Sequence, residues 1–173
     1  GESYEFGNLL PGDYTLSESV DSSYVASVSC DNGSTNSSGS VDLSLFPGDY
    51  VTCTFTNTQK GSIQGKKWDD LNGNGIYEGM ANPNEPMLNG WTIFIDEDGD
   101  GQLDGGEQST VTAVDGSNAG QYKFENLVPG EYRVCEVEQP GWQITYPADS
   151  NCQTVTVPPG PVQAAPYWNG HVD

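Results

Sequence analysis

Along most of the chain, short runs rich in β-formers, some of them alternating apolar with polar residues, give way to Gly, Pro, Asn or Asp. Short runs punctuated in this way predict β-strands. They fall at Gly61 to Trp68, Trp91 to Ile95, Tyr122 to Phe124, Tyr132 to Val137, Gln143 to Tyr146, Thr154 to Val157 and Gln163 to Trp168. No window sustains the i, i+3, i+4 apolar spacing of an amphipathic helix. The expected class is therefore all-β, a repeated β-sandwich. Leu9-Leu10-Pro11-Gly12 and Leu127-Val128-Pro129-Gly130 read as turns, because Pro presets φ and Gly accepts φ > 0. Tyr14 and Tyr132 are then expected to begin the return strands.

The repetition is visible in the residues themselves. YEFGNLLPGDYTLSE, from Tyr4 to Glu18, matches YKFENLVPGEYRVCE, from Tyr122 to Glu136, at a constant offset of 118 residues. Each copy runs on to a closing Asn-containing segment, CTFTNT at Cys53 to Thr58 or APYWNG at Ala165 to Gly170. Two homologous domains are expected, residues 1–59 and 60–173. The second carries a long stretch before its motif, beginning at Gly61, whereas only Gly1, Glu2 and Ser3 precede the first. Domain 1 should thus hold only the rear strands of its sandwich, completed by upstream sequence of a tandem chain or by another molecule. Gln59 to Gly61 is too short a linker for free movement, which predicts nearly rigid, end-to-end modules in an array.

Charge narrows the function. Asp plus Glu number 25 against 5 Lys plus Arg, a formal net charge of -20, and residues 1–59 hold no Lys or Arg. A nucleic-acid binder needs those cations for phosphate, and an acidic surface repels anionic membranes. No apolar run approaches the roughly 20 residues of a membrane helix. An enzyme is not expected, because no G-x-S-x-G motif or phosphate loop stands before a helix, and the single histidine, His171, has no partner in sequence and reads as exposed.

Ten of the 25 acids lie between Asp69 and Glu107, so the acidity points to metal binding. DEDGDGQLDGGE, Asp96 to Glu107, fits the twelve-residue calcium loop at every defined place. Asp96, Asp98 and Asp100 converge on one centre, Gly101 permits the sharp turn, Gln102 offers its carbonyl, Asp104 reaches through water and Glu107 closes bidentately. Crowded carboxylates repel one another unless a cation compensates. A second loop starts alike at Asp70, Asn72, Asn74 and Gly75, with Ile76 at the carbonyl position, but Ala81 stands where the closing Glu belongs. Glu78 or Glu85 must close it, with Asp115 as a further candidate, and Asp98→Ala should lower calcium affinity more than Asp70→Ala. An Asx-rich turn without metal is the alternative for this loop. Asn32-Gly-Ser and Asn36-Ser-Ser are glycosylation sequons in a flexible Ser/Gly tract, the alternative being a bare polar loop.

GKKWDDLNGNG, the acidic loop, VDGSNAGQYKFENLVPGEYRVCEVEQPGW and the closing YWNG resemble the calcium-binding B-type repeats of serine-aspartate-repeat adhesins over residues 61–170. Residues 1–59 resemble the rear half of the related collagen-adhesin B-type, prealbumin-like module. The resemblance implies tandem transthyretin-like (Ig-like) sandwiches in a secreted or cell-surface prokaryotic protein, used as a stalk that calcium stiffens. Its implied partners are copies of itself or adjacent repeats, head to tail. Cys30 with Cys53 and Cys135 with Cys152 suit that compartment as disulfides, each adding about 3 kcal/mol by loop entropy, with buried free thiols as the alternative. Some collagen-adhesin modules also form a Lys-to-Asn isopeptide bond promoted by a Glu. Lys66 or Lys67, Asn169 and Glu136 occupy those places here, although calcium usually substitutes for the bond in the serine-aspartate type. A competing function is an adhesin that binds a host protein or glycan through Trp68, Trp91, Trp142 and Trp168, rings that in the other reading fill the core or the interdomain joint.

Overall fold

The computed structural model describes residues 3–79, 84–113, 119–148, 150–160, 163–164 and 168–172, the last two stretches by their backbone. Every regular element is a strand, so no helix is long and apolar enough to cross a membrane among the described residues. The chain divides into two compact units, Gly1–Gln59 and Lys60–Asp173.

Unit 1 comprises β1 (Gly12–Ser17), β2 (Tyr24–Cys30), β3 (Thr35–Asn36), β4 (Ser40–Leu45) and β5 (Cys53–Gln59). β1 pairs with β4, and β2 lies between β3 and β5. Alternation along β2 and β4 directs Val28, Cys30, Val41 and Leu43 into a small core flanked by Leu16, Val51, Cys53 and Phe55. The Cys30–Cys53 disulfide joins directly opposed residues of β2 and β5, a staple that suits so thin a core.

Unit 2 comprises β6 (Gly61–Asp69), β7 (Thr92–Asp96), β8 (Ser109–Val111), β9 (Gln121–Leu127), β10 (Gly130–Glu136), β11 (Trp142–Tyr146), β12 (Cys152–Val157), β13 (Gln163–Ala164) and β14 (Trp168–Val172). One sheet runs β12-β10-β7-β8. In the other, β6 is central: β9 lies antiparallel on one edge, while β13 and β14 lie parallel along the other and β11 follows β14. Ile63, Ile93, Ile95, Tyr122, Phe124, Leu127, Val134, Val155 and Val157 form the core. Period two explains why β7 is buried on both faces. Ile93 and Ile95 enter that core, while Phe94 packs with the Cys135–Cys152 disulfide on the opposite face.

The two units share local geometry at positions 118 residues apart. Asn8 and Asn126 both adopt positive φ, 59° and 60°, which Asn tolerates better than most residues. Tyr14 Oη donates to Leu10 O and Tyr132 Oη to Val128 O, each at 2.7 Å. The β1–β4 and β2–β5 pairings have the same sense as β10–β12 and β11–β14. One expectation needs correction. The return strands begin at Gly12 and Gly130 rather than at the tyrosines, because Gly12 and Gly130 already pair with Leu45 and Val157. Of the strand expected at Gln163 to Trp168, Gln163, Ala164 and Trp168 pair in parallel with β6, and residues 165–167 lie outside the described ones.

Gly65 marks the tightest approach in the β6 sheet. It lies directly opposite Tyr122, and a Cβ there would sit 2.4 Å from the tyrosine hydroxyl oxygen. Gly65→Val is expected to destabilise unit 2 by about 1–3 kcal/mol through overpacking, read as a lower urea midpoint, while Gln64→Val on the exposed side should change little.

Candidate metal-binding loops

Both acidic loops leave the end of a core strand. Asp96 is the last residue of β7 and is buried. Its Oδ1 accepts the amide of Gly99 at 2.7 Å and its Oδ2 that of Gly101 at 2.9 Å. Asp98 Oδ1 accepts the Asp100 amide at 3.1 Å, and Asp100 Oδ1 accepts the Gln102 amide at 2.7 Å. Glu107 folds back over the loop, its two carboxylate oxygens accepting the amides of Glu97 and Asp104 at 2.8 and 3.0 Å. Gly99 and Gly101 hold φ of 86° and 78°, which lets the chain curl tightly around these oxygens.

Carboxylate oxygens of Asp96, Asp98 and Glu107 lie within 4.8 Å of one another, as do those of Asp98, Asp100 and Asp104. This is a hard-oxygen donor set of the type a calcium ion takes. Negative charge accumulates there. Asp100 first, with contributions from burial and from Asp98, Glu107 and Asp96, raises the Asp104 carboxyl above its ordinary pKa. Arg133, opposite Asp96 on β10, places Nη1 2.9 Å from Asp96 Oδ2 and also donates to Gly99 O. The sequence pattern gave no sign of this arginine, because its partner lies on a neighbouring strand.

The second loop has the same internal bonding. Asp70 Oδ2 accepts the Gly75 amide at 2.9 Å, Asn72 Oδ1 the Asn74 amide at 3.0 Å, and Asn74 Oδ1 the Ile76 amide at 2.7 Å. These match the bonds of Asp96, Asp98 and Asp100 position for position. Gly73 and Gly75 likewise hold positive φ, 69° and 76°. The closure differs: Asn74 and Asn72 donate to Glu78 Oε1, and Glu85 Oε2 accepts the Glu78 amide at 2.9 Å.

Burial distinguishes the loops. Asp70 and Glu85 are 0% and 1% exposed, and Glu85 Oε1 and Glu78 Oε2 are buried without a hydrogen-bond partner. Burial pushes the Glu85 carboxyl up, with repulsion from Glu78 and Asp70 adding to it, while the Asn74 hydrogen bond first holds Glu78 down. Orphaned carboxylate oxygens beside the Asx acceptors of this loop fit a cation. Glu85 follows a proline- and asparagine-rich stretch that hides its depth. Asp115 lies outside the described residues.

A third charged group sits inside unit 2. Lys67 Nζ lies 3.1 and 2.9 Å from the two carboxylate oxygens of Glu136, with both residues buried, and stands 4.3 Å from the centre of the Trp91 ring. Desolvation lowers the Lys67 pKa and raises that of Glu136, and their mutual attraction opposes each shift. Of the two candidate lysines, the structure therefore brings Lys67 to Glu136. Asn169 is in register with Trp68 rather than with Lys67, whose register partner is Trp168; the Asn169 side chain is outside the described ones.

Trp68 and Trp91 are buried, and Trp142 is only partly exposed against Trp91 at 5.2 Å. These three tryptophans do not form an exposed aromatic face. Asn32 and Asn36 sit in exposed Asx turns, their carbonyl oxygens accepting the Ser34 and Ser38 amides.

No family model matches the chain. Colossin-A of Dictyostelium discoideum is 31% identical over 136 residues, a match covering 76% of this chain and 1% of that protein; the chain thus spans about a hundredth of its curated relative. Among solved structures, the minor pilin GBS52 of Streptococcus agalactiae is similar with a TM-score of 0.45 and 14% identity, over 81% of this chain and 67% of that one. BcpA, the major pilin subunit of Bacillus cereus, gives a TM-score of 0.41 and 13% identity, over 94% of this chain and 60% of that one.

Proposed function

We propose that this chain is a structural part of an extracellular fibre or stalk, built from like modules joined head to tail and stiffened by calcium bound in the two loops of unit 2. The observation that carries the reading is the convergence of the carboxylates of Asp96, Asp98 and Glu107, and of Asp98, Asp100 and Asp104, to within 4.8 Å of one another; in the second loop, buried oxygens of Glu78 and Glu85 are left for a ligand. Asp70, Asn72, Asn74, Glu78, Glu85 and the Ile76 carbonyl would hold one ion. Asp96, Asp98, Asp100, Asp104, Glu107 and the Gln102 carbonyl would hold the other. Bound there, calcium fixes the exits of β6 and β7, the strands at the centre of the two sheets. Two disulfides support an oxidising location outside the cytosol. The reading assigns no catalytic role, and the buried tryptophans favour it over an adhesin with an aromatic face.

Calorimetric titration of calcium into chelator-treated protein tests this. Heat from two sites is expected, with Asp98→Ala abolishing one and Glu85→Gln weakening the other. A featureless titration removes calcium from the function.

A further inference from the structure

The disulfide of unit 2 lies against the first acidic loop. Cys135 and Cys152 face each other across β10 and β12, and Cys135 is also opposite Phe94 of β7. Asp96, two residues after Phe94, opens the loop, and its Oδ2 stands 3.6 Å from Cys135 Sγ and 4.0 Å from Cys152 Sγ. Further round the loop, a Cβ on Gly101 would sit 3.7 Å from Cys152 Sγ and 3.4 Å from Asn151 Oδ1. Asn151 ties these parts together. Its Nδ2 donates to Gly101 O at 2.9 Å and to Glu136 O at 3.2 Å, and its Oδ1 lies 3.4 Å from Cys152 Sγ. One side-chain amide thus joins the turn of the loop to the neighbours of both cysteines.

A disulfide sulfur carries no hydrogen and makes no claim on the Asp96 carboxylate. Two thiols differ in two respects. They need van der Waals separation where a covalent bond now stands, and each gains an S–H that can donate to a carboxylate. Cys135 and Phe94 are both 0% exposed, so the close-packed core side of the pair has no room to give. The displacement falls on Asp96, Gly101 and Asn151, the groups that hold the loop in shape.

We propose that calcium in loop 96–107 and the Cys135–Cys152 bond are thermodynamically linked: reduction of the bond releases calcium from this loop and not from the loop of Asp70, and calcium makes the bond harder to reduce. This rests on reading loop 96–107 as a calcium site. The two effects are reciprocal, because the factor by which reduction weakens calcium binding equals the factor by which calcium shifts the reduction equilibrium. The reductant is a dithiol. Its thiolate attacks one sulfur, the S–S bond breaks through a mixed disulfide, two electrons and two protons pass to Cys135 and Cys152, and the dithiol closes to its own disulfide. Cys30–Cys53 serves as an internal control. It too joins directly opposed residues of antiparallel strands, but it belongs to none of the metal-competent clusters among the described residues.

Equilibrating the full chain with mixtures of reduced and oxidised dithiothreitol, in calcium or in chelator, tests the linkage. Alkylation traps the thiols, and mass spectrometry reads each cysteine pair. Calcium is expected to raise the dithiol ratio that reduces half of Cys135–Cys152 by about tenfold or more, and to leave Cys30–Cys53 where it was. Asp98→Ala should abolish the shift, and Glu85→Gln, which weakens the second loop, should preserve it. Asn151→Ala, with both cysteines intact, should cut it to about threefold or less. Equal midpoints in calcium and chelator, in protein whose calorimetric titration shows both loops filled, overturn the linkage and leave the calcium reading standing. A shift that Glu85→Gln reduces as much as Asp98→Ala also overturns it, since calcium would then act through the stability of unit 2 as a whole. No heat from loop 96–107 in the oxidised protein removes the linkage together with the calcium reading of that loop.

Discussion

Stripping calcium with a chelator is expected to lower the melting temperature of unit 2 by at least about 15 °C and leave unit 1 unchanged. A single site at a thousandfold excess of ligand over Kd contributes about 4 kcal/mol, and each 1 kcal/mol moves the melting point of a domain of this size by roughly 4–8 °C. Two mechanisms act together. Loss of the cation restores repulsion around Asp104 and leaves the buried oxygens of Glu78 and Glu85 without a partner. Asp70→Ala should reduce the unfolding free energy more than Asp98→Ala, whatever their order in calcium affinity. Asp70 is buried and accepts the amides of Asn74 and Gly75, whereas Asp98 is exposed. Differential scanning calorimetry with and without chelator reads both effects, and coincident melting curves would refute the first.

Lys67→Met should be still more damaging to a single interaction, costing about 3–5 kcal/mol, because it strands the Glu136 carboxylate in the core. Glu136→Leu alone should be comparably harmful. The double variant should recover most of the loss, since a well-packed apolar pair often replaces a buried ion pair at no cost. Urea denaturation gives the three midpoints, and an additive double variant would show that the two charges do not depend on each other. The Trp91 ring beside Lys67 Nζ adds to the cost of losing the cation.

These two sites were unequally legible in the sequence. The loop from Asp96 to Glu107 declares itself, because its candidate oxygen donors fall within twelve consecutive residues at the spacing a calcium loop has. The second loop breaks that spacing at Ala81, and the depth of Glu85 depends on a fold-back that no local pattern encodes. Arg133 reached Asp96 by strand pairing across 37 residues of sequence; only knowledge of the β7–β10 register reveals it. The strands were readable where β-formers cluster between Gly, Pro, Asn or Asp, as in β7 and β10. β3 and β8, with two and three residues, are too short to carry a period. The aromatic residues allowed two readings in sequence, a ligand face or filling of the core; Trp68 and Trp91 are buried, and burial is a property of the tertiary neighbours, which no local pattern encodes.

The parallel pairing of β6 with β14 also has a mechanical consequence. β6 is the first strand of unit 2, and β14 is its last described strand. Tension applied at entry and exit pulls these two neighbours along their length in opposite directions. Their hydrogen bonds then share the force in shear and must break together, instead of opening one after another as in a zipper. The two acidic loops stand at the far ends of β6 and β7, away from the point of traction on β6. A thread made of such units would resist stretching through the arrangement of its first and last strands, before the strength of any individual contact is considered.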